Sequence, residues 1–263
     1  MDILRKSLAP ISQASWEEIN KTAFDVLKSV LAARKVVDVD GPRGWNFASV
    51  STGRINVPKD QKGPVRYGIN QVLPLVEARI PFELNIWELD NVARGAEDID
   101  LAAMEDAARE IAKFEEKIIF EGFKAASIVG LKDCKEYDTP AFPEAGEDIA
   151  AAVADVVSQL KANSIEGPYS LVLNQEKWQL VNSFVKGYPL RKQLENLLGG
   201  SIIMAPYIDG AYIVSERGGD LKMVIGQDLS IGYESHNSKT VQLYFTESFT
   251  FHVIDPAAVA VFK

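Results

Sequence analysis

Two periodicities divide this chain. Apolar residues returning every three or four positions predict helices with one buried face, and short alternating runs between glycines and prolines predict strands and turns. The longest helical pattern runs from Asp100 to Phe123, with Leu101, Met104, Ala108, Ile111, Phe114 and Ile118 on one stripe and Gly122 placed to end it. Asp100 is its candidate cap, and Glu105 and Arg109, four apart, form a supporting pair. This segment is the expected spine of the fold. An earlier helix is carried by Trp16, Ile19, Ala23, Val26, Leu27 and Val30, and Ser15 with Glu18 has the spacing of a capping box. Phe24 and Leu31 widen its apolar surface beyond a narrow stripe, as expected of a deeply buried helix or of one wall of a groove.

Between Ala48 and Leu75 the pattern changes. The alternating runs at Arg54–Val57 and Val65–Tyr67 are broken by Gly53, Pro58, Gly63, Pro64, Gly68 and Pro74, which predicts a two-stranded arm with a polar tip at Lys59 to Lys62. Such a ribbon has little core of its own and needs a surface to lie on, either a neighbouring copy or its own domain. Val76 to Trp87 reads as a strand leading to the short polar turn at Gly95. After Gly130 the pattern shifts. Thr139–Pro143 reads as a linker into a mixed region with helices through Ile149–Leu160, Gln175–Phe184 and Pro189–Leu198 and a strand at Ser170–Leu173. That region reads as an inserted second domain. The remainder is strand-rich, at Ile202–Ala205, Tyr212–Ser215, Lys222–Gly226, Val241–Thr246 and Phe249–Ile254, and its last strands are expected to return to the first domain. The class is α+β.

Composition narrows the function classes. The 263 residues are 47% hydrophobic, enough for a sizeable core, and no run approaches the roughly 18 apolar residues of a membrane span. The opening residues, Met1 to Lys6, lead into an amphipathic segment and not a signal-peptide core, so a cytoplasmic protein with no membrane partner is expected. A net charge of −9 argues against a phosphate-neutralising surface, and nucleic acid is not an expected partner. The single cysteine, Cys134, excludes an intrachain disulfide and reads as an inert thiol in a polar loop flanked by Lys132 and Lys135.

Catalytic motifs are missing: no phosphate loop, dinucleotide fingerprint, nucleophile elbow or metal-binding His-Glu-x-x-His helix occurs. His236, in a predicted turn, and His252, on a predicted strand, have no partner at useful spacing. The carboxylate pairs Glu17–Glu18, Glu88–Asp90 and Glu115–Glu116 read as surface or turn chemistry. The one pair with ligand-binding character is Arg79 with Trp87. Eight residues apart on the expected strand, they share a face on which an indole and a guanidinium could stack a planar anion.

Four separated stretches carry a family resemblance. They are Leu8-Ala9-Pro10-Ile11; Arg34 to Pro42 with Gly44-Trp45; Trp87 to Asn91 with Arg94-Gly95; and Ser215 to Asp220 followed by Gly226 to Glu234, with Phe249-Thr250-Phe251 closing. In this order and spacing the chain resembles the shell proteins of encapsulins, prokaryotic protein nanocompartments, over nearly its whole length. The resemblance implies the fold of tailed-bacteriophage major capsid proteins, with a peripheral domain at residues 1–47, 76–131 and 227–263, an extended loop at 48–75 and an axial domain at 132–226. It implies a non-catalytic subunit that closes with its copies into a hollow icosahedral shell. The shell would hold ferritin-like iron-storage or peroxidase enzymes through their C-terminal peptides. The positions matching the peptide groove are Phe24, Leu27, Val30, Leu31, Arg34 and Asp38, with Leu229, Ile231 and Tyr233 opposite, and Asp38 is expected to pair with a basic residue of the peptide. Lys186, Gly187 and Tyr188 match a pore-lining loop. Trp87 and Arg79 match positions at which some relatives carry a flavin. A phage capsid subunit on the same fold, and a flavin-dependent reductase or peptidase, are the alternatives.

Overall fold

The computed structural model describes residues 3–263, the side chains of Val185 and Lys186 excepted. In chain order its elements are α1 (Gln13–Val30), β1 (Asp38–Asp40), β2 (Ser49–Asn56), β3 (Ile69–Pro74), β4 (Val76–Asn85), α2 (Ile86–Ala93) and α3 (Ala102–Glu121). Then follow α4 (Gly146–Ala162), β5 (Tyr169–Leu173), α5 (Gln175–Ser183), β6 (Val185–Lys186), β7 (Tyr188–Pro189), α6 (Leu190–Leu198), β8 (Gly199–Met204) and β9 (Ala211–Ser215). The chain closes with β10 (Leu221–Ile225), β11 (Ser230–His236), β12 (Thr240–Val253) and β13 (Val259–Val261).

The organising strand is β12. The sequence pattern suggests two strands here, with Glu247 and Ser248 between them; the structure corrects this to one strand of 14 residues. One edge of β12 pairs continuously with β4, from Thr240↔Asn85 to Phe249↔Val76. The other edge is shared: β11 takes Val241–Thr246 and β10 takes Phe249–Val253. In the gap between them the β10–β11 connection continues along the same edge of β12, with Gly226 N–H donating to Ser248 O and Ser248 N–H to Gln227 O, each at 2.8 Å. Polar residues occur in mid-strand because the main chain of another segment meets them there. The parallel strand β1 completes the sheet beyond β10.

Helix α3 packs along this sheet as the apolar stripe predicts. Its first half joins α1, β4, β11 and β12 around Met104, Ala108 and Ile111. Its second half places Ile118, Ile119 and Phe120 in a core with Met223, Phe249 and Phe251. Asp100 accepts from Ala102 N–H at 3.0 Å, and Gly122, at φ +83°, ends the helix. Helix α1 differs at its start: Ser12, not Ser15, accepts from the backbone, at 3.1 Å from Ser15 N. Ser15 is buried and donates to Leu89 O at 2.9 Å, tying α1 to α2.

Residues beyond Gly130 form a second sheet, ordered β13–β9–β5–β8, with α4 and α6 packed on it through Ile149, Val153, Leu160, Leu194 and Leu198. Cys134 does not occupy a polar loop. It is buried in the α3 core, and burial, followed by the charges of Asp133, Glu136 and Asp255, pushes its thiol up to about 12. The arm, β2 paired with β3, stands away from both cores, and Ile55, Val57, Val65, Tyr67, Ile69 and Val72 are exposed on it. Its tip is held by one side chain: Gln61 donates to Pro58 O and Tyr67 O and accepts from Tyr67 N–H. No helix among the described residues is long and apolar enough to cross a membrane.

Candidate functional site

The widest apolar depression lies between α1 and the start of β11. Ala23, Phe24, Leu27, Leu31, Leu229, Ile231 and Phe245 form its walls and floor, with Lys6, Lys28, Lys35 and Asp228 among the polar residues at its edge. Its volume is about 580 Å³. Periodicity explains the α1 wall: Ala23 and Leu27 lie four apart on the core-facing stripe, while Phe24 is turned one position outward and is 61% exposed. Lys28 sits 5.6 Å from the Phe24 ring centroid. The opposite wall follows from the β10–β11 connection beside Ser248, after which the chain enters β11 with Leu229 and Ile231 at the depression.

Six of the nine residues matched by resemblance meet here: Phe24, Leu27, Leu31, Arg34, Leu229 and Ile231. Ile231 is 3% exposed and belongs as much to the core as to the groove. Val30 is half-buried outside the lining. The Asp38 carboxylate accepts from Gly219 N–H at 2.6 Å and borders a smaller depression of about 170 Å³, which adjoins the groove through Lys35. Tyr233 N–H donates to Leu4 O, and its hydroxyl lies 2.6 Å from His236 Nδ1.

Arg34 forms the polar end of the groove, and its guanidinium is fully engaged. Nε and Nη2 grip Glu115, the shortest contact being 2.6 Å; Nη2 also donates to Glu247 at 2.6 Å, and Nη1 to Asp228 at 2.8 Å. Burial works against the arginine charge. The bond to Glu115 and the charges of Glu115, Glu247 and Asp228 outweigh it and raise the pKa above its ordinary value. Next to this knot, Glu116 accepts from Ala32 N–H at 2.9 Å and Ala33 N–H at 2.8 Å, capping the turn that follows α1. Glu115, Glu116 and Glu247 are 0% exposed. The surface reading of Glu115–Glu116 is therefore corrected: both carboxylates lie in the core. Burial pushes Glu116 up to about 8, although the two backbone donors oppose the shift. Burial and the neighbouring Glu115 likewise raise Glu247 well above the usual carboxylate range.

These carboxylates are the functional residues that sequence reasoning missed, and the signal was present. Glu115 falls between Ile111 and Ile118 at helical spacing, so it occupies the apolar stripe. Glu247 falls on the same strand face as Leu243, Phe245, Phe249 and Phe251. A charge in register with a core stripe points to a buried ion pair. Among the described residues no group of three or more His, Cys, Asp or Glu is disposed to hold a metal ion.

The other candidates lie elsewhere. Strand β4 stops at Asn85, whose side chain accepts from Trp87 N–H and Glu88 N–H and starts α2. Trp87 is therefore helical and 74% exposed, and the strand alternation expected to align it with Arg79 does not extend to it. The Arg79 guanidinium stacks 4.2 Å from the Tyr244 ring centroid and pairs with Glu77 at 3.6 Å. It borders a cavity of about 520 Å³ with Ile80, Ile111 and Phe114, whose lining does not include Trp87. In the matched pore loop, β6 and β7 form a hairpin around Gly187, at φ +78°, and Tyr188 is exposed. The charge expected at Lys186 lies outside the described side chains.

Comparison with known proteins identifies the family and the fold. Residues 1–250 match the Linocin_M18 family, described as an encapsulating protein for peroxidase. The type 1 encapsulin shell protein of Rhodococcus erythropolis is 41% identical over 264 residues, covering 98% of each chain. Among solved structures, the virus-like particle of Pyrococcus furiosus superposes with a TM-score of 0.67 at 17% identity, covering 94% of this chain and 99% of that one. The capsid of the Myoviridae phage XM1 gives 0.56 at 12% identity, covering 88% and 91%. The fold is that of tailed-phage capsid subunits.

Proposed function

Because the chain belongs to the encapsulin shell-protein family, a family of structural and self-assembling subunits, we propose that the groove beside α1 receives a short C-terminal peptide of a cargo enzyme enclosed by a hollow icosahedral shell. The cargo is of ferritin-like iron-storage or peroxidase type, and the shell is cytoplasmic. The observation that carries this reading is Phe24: a large aromatic ring, 61% exposed, at the lip of a depression otherwise walled by Leu27, Leu31, Leu229 and Ile231. An exposed ring beside an apolar trough supplies the anchor that a peptide with apolar side chains needs. Sequence distance favours a compartment over a phage capsid, since identity is 41% to the Rhodococcus shell protein and 12% to the phage capsid.

The test is cargo loading. A fluorescent protein bearing the C-terminal peptide of a dye-decolourising peroxidase is co-expressed with the shell, and fluorescence per particle is measured. Phe24→Ala is expected to leave particles intact and lower loading at least tenfold. Equal loading by wild type and variant would remove the groove from consideration. Ile231→Asp is a poor probe, because that side chain is part of the core. Flavin is the weaker implication of the resemblance: Trp87 offers an exposed indole, but Arg79 is occupied with Tyr244 and Glu77. Absence of flavin absorbance from purified shells reconstituted with FMN would exclude it.

A further inference from the structure

Beneath the groove one guanidinium meets too many carboxylates. Nη2 of Arg34 donates to Glu115 Oε2 and to Glu247 Oε1, each at 2.6 Å, and both glutamates are fully buried. A single positive charge cannot balance two buried negative ones while Asp228 also draws on it, and an unbalanced charge in the interior is costly. Glu247 Oε2 receives no hydrogen bond from the described residues, and its side chain lies within hydrogen-bonding reach of Glu115. That is the position of a proton held between two carboxyl groups.

We propose that Glu115 and Glu247 are positioning residues of the groove, sharing one proton and through it fixing Arg34 and Asp228 where they shape the peptide's seat. The proposal rests on the reading of the groove as that seat. Glu115 takes the two-pronged contact from Nε and Nη2, which leaves Glu247 as the carrier of the proton. The path to the groove is short. Arg34 Nη1 holds Asp228 Oδ1, and the same oxygen accepts from Leu229 N–H at 2.8 Å, so the wall residue Leu229 hangs from the arginine through a single carboxylate.

The charged groups around the pair are few. Helix α3 contributes Glu116, whose Oε2 likewise has no partner; the turn after α1 contributes Arg34 and Lys35; and the β10–β11 connection contributes Asp228. Strand β4 presents the uncharged Ala78 opposite Glu247. Burial and the Glu115 charge favour the protonated form of Glu247 and raise it well above the usual carboxylate range, so the proton is lost only as pH rises. Its loss places two full negative charges on one guanidinium nitrogen, and the geometry at Asp228 and Leu229 relaxes.

The test uses intact shells and two readouts. Infrared titration of wild-type shells is expected to show a buried protonated-carboxyl C=O band that disappears on going alkaline; Glu247→Gln removes the part due to Glu247 and leaves that of Glu116, and Glu116→Gln does the reverse. In shells loaded with the fluorescent protein bearing the peroxidase peptide, the slow component of anisotropy decay reports tethering. It is expected to be lost in the wild type over the pH range in which the band disappears, and retained there by Glu247→Gln, which keeps the pair at one charge. A wild-type spectrum without a Glu247-dependent band overturns the proposal, as does tethering that stays constant while the band titrates. If wild-type shells load no cargo, the groove reading falls, and the tethering half of the proposal falls with it. The infrared titration still decides whether the proton is shared.

Discussion

The β2–β3 arm and the junction around Arg34 break the rule of apolar inside and charged outside in opposite senses. The arm exposes Ile55, Val65, Tyr67, Ile69 and Val72 to water, whereas the junction seals Glu115, Glu116 and Glu247 away from it. The junction is resolved within one chain: the Arg34 fork holds Glu115 and one oxygen of Glu247, the Ala32 and Ala33 N–H groups hold Glu116, and the α1–α3–β12 packing closes over them. The arm is not resolved within one chain. A two-stranded ribbon with exposed apolar residues on it and no core beneath is stable only against another surface, and we propose that in this shell-forming family the surface belongs to another copy. Buried charge here marks a joint inside the subunit, and exposed apolar area marks a joint between subunits.

The largest effect is expected at the arm. Replacing Val65 and Ile69 together by aspartate should abolish particle formation, measured by light scattering. The circular dichroism of the free subunit should be unchanged, because neither side chain is in a core. Normal particle yield would break the comparison at once. Next comes Arg34→Ala, which strands the buried Glu115 and leaves Glu247 without its donor; removing one partner of such a pair costs about 3–5 kcal/mol. The denaturation midpoint should fall accordingly at neutral pH and recover in acid, where the glutamates protonate. A neutral effect at all pH values would mean that the junction is solvated.

The effect at Glu116 sharpens the sign. Glu116 has a folded-state pKa of about 8 against an ordinary 4.5, so its contribution to stability is complete below pH 4.5 and is lost as pH rises through about 8. Its share of the slope is about 1.4 kcal/mol per pH unit in that window. Glu116→Gln should remove that share and leave the part due to Glu247. An unchanged slope would show that the backbone donors at Ala32 and Ala33 outweigh burial.

What the sequence made legible follows from what was periodic. The α3 stripe, the α1 face and the glycine- and proline-punctuated arm could all be read directly, because each obeys a single local rule. The pattern suggests two strands in β12 because the polar pair Glu247-Ser248 interrupts its apolar alternation; only the β10–β11 connection, whose Gly226 and Gln227 meet Ser248 main chain to main chain, makes those polar residues compatible with one strand. Asn85 hid the start of α2 for a related reason, since alternation gives no warning of the residue at which a side chain begins to cap a helix. Groove membership at Leu229 and Ile231 was supplied by family likeness, as no spacing rule links them to Phe24 some two hundred residues earlier. The buried glutamates were passed over because charge was taken as evidence of exposure, although their register matched the core.

Strand β12 also has a mechanical meaning. Extended at about 3.3 Å per residue, its 14 residues form a tie roughly 46 Å long. Tension along that tie loads the flanking hydrogen bonds in shear, all together, instead of peeling them one at a time. The wall is therefore expected to be stiffest along the β12 direction. It should yield first near Glu247 and Ser248, where the strand on one side changes from β11 to β10 and the tie is spliced by a loop.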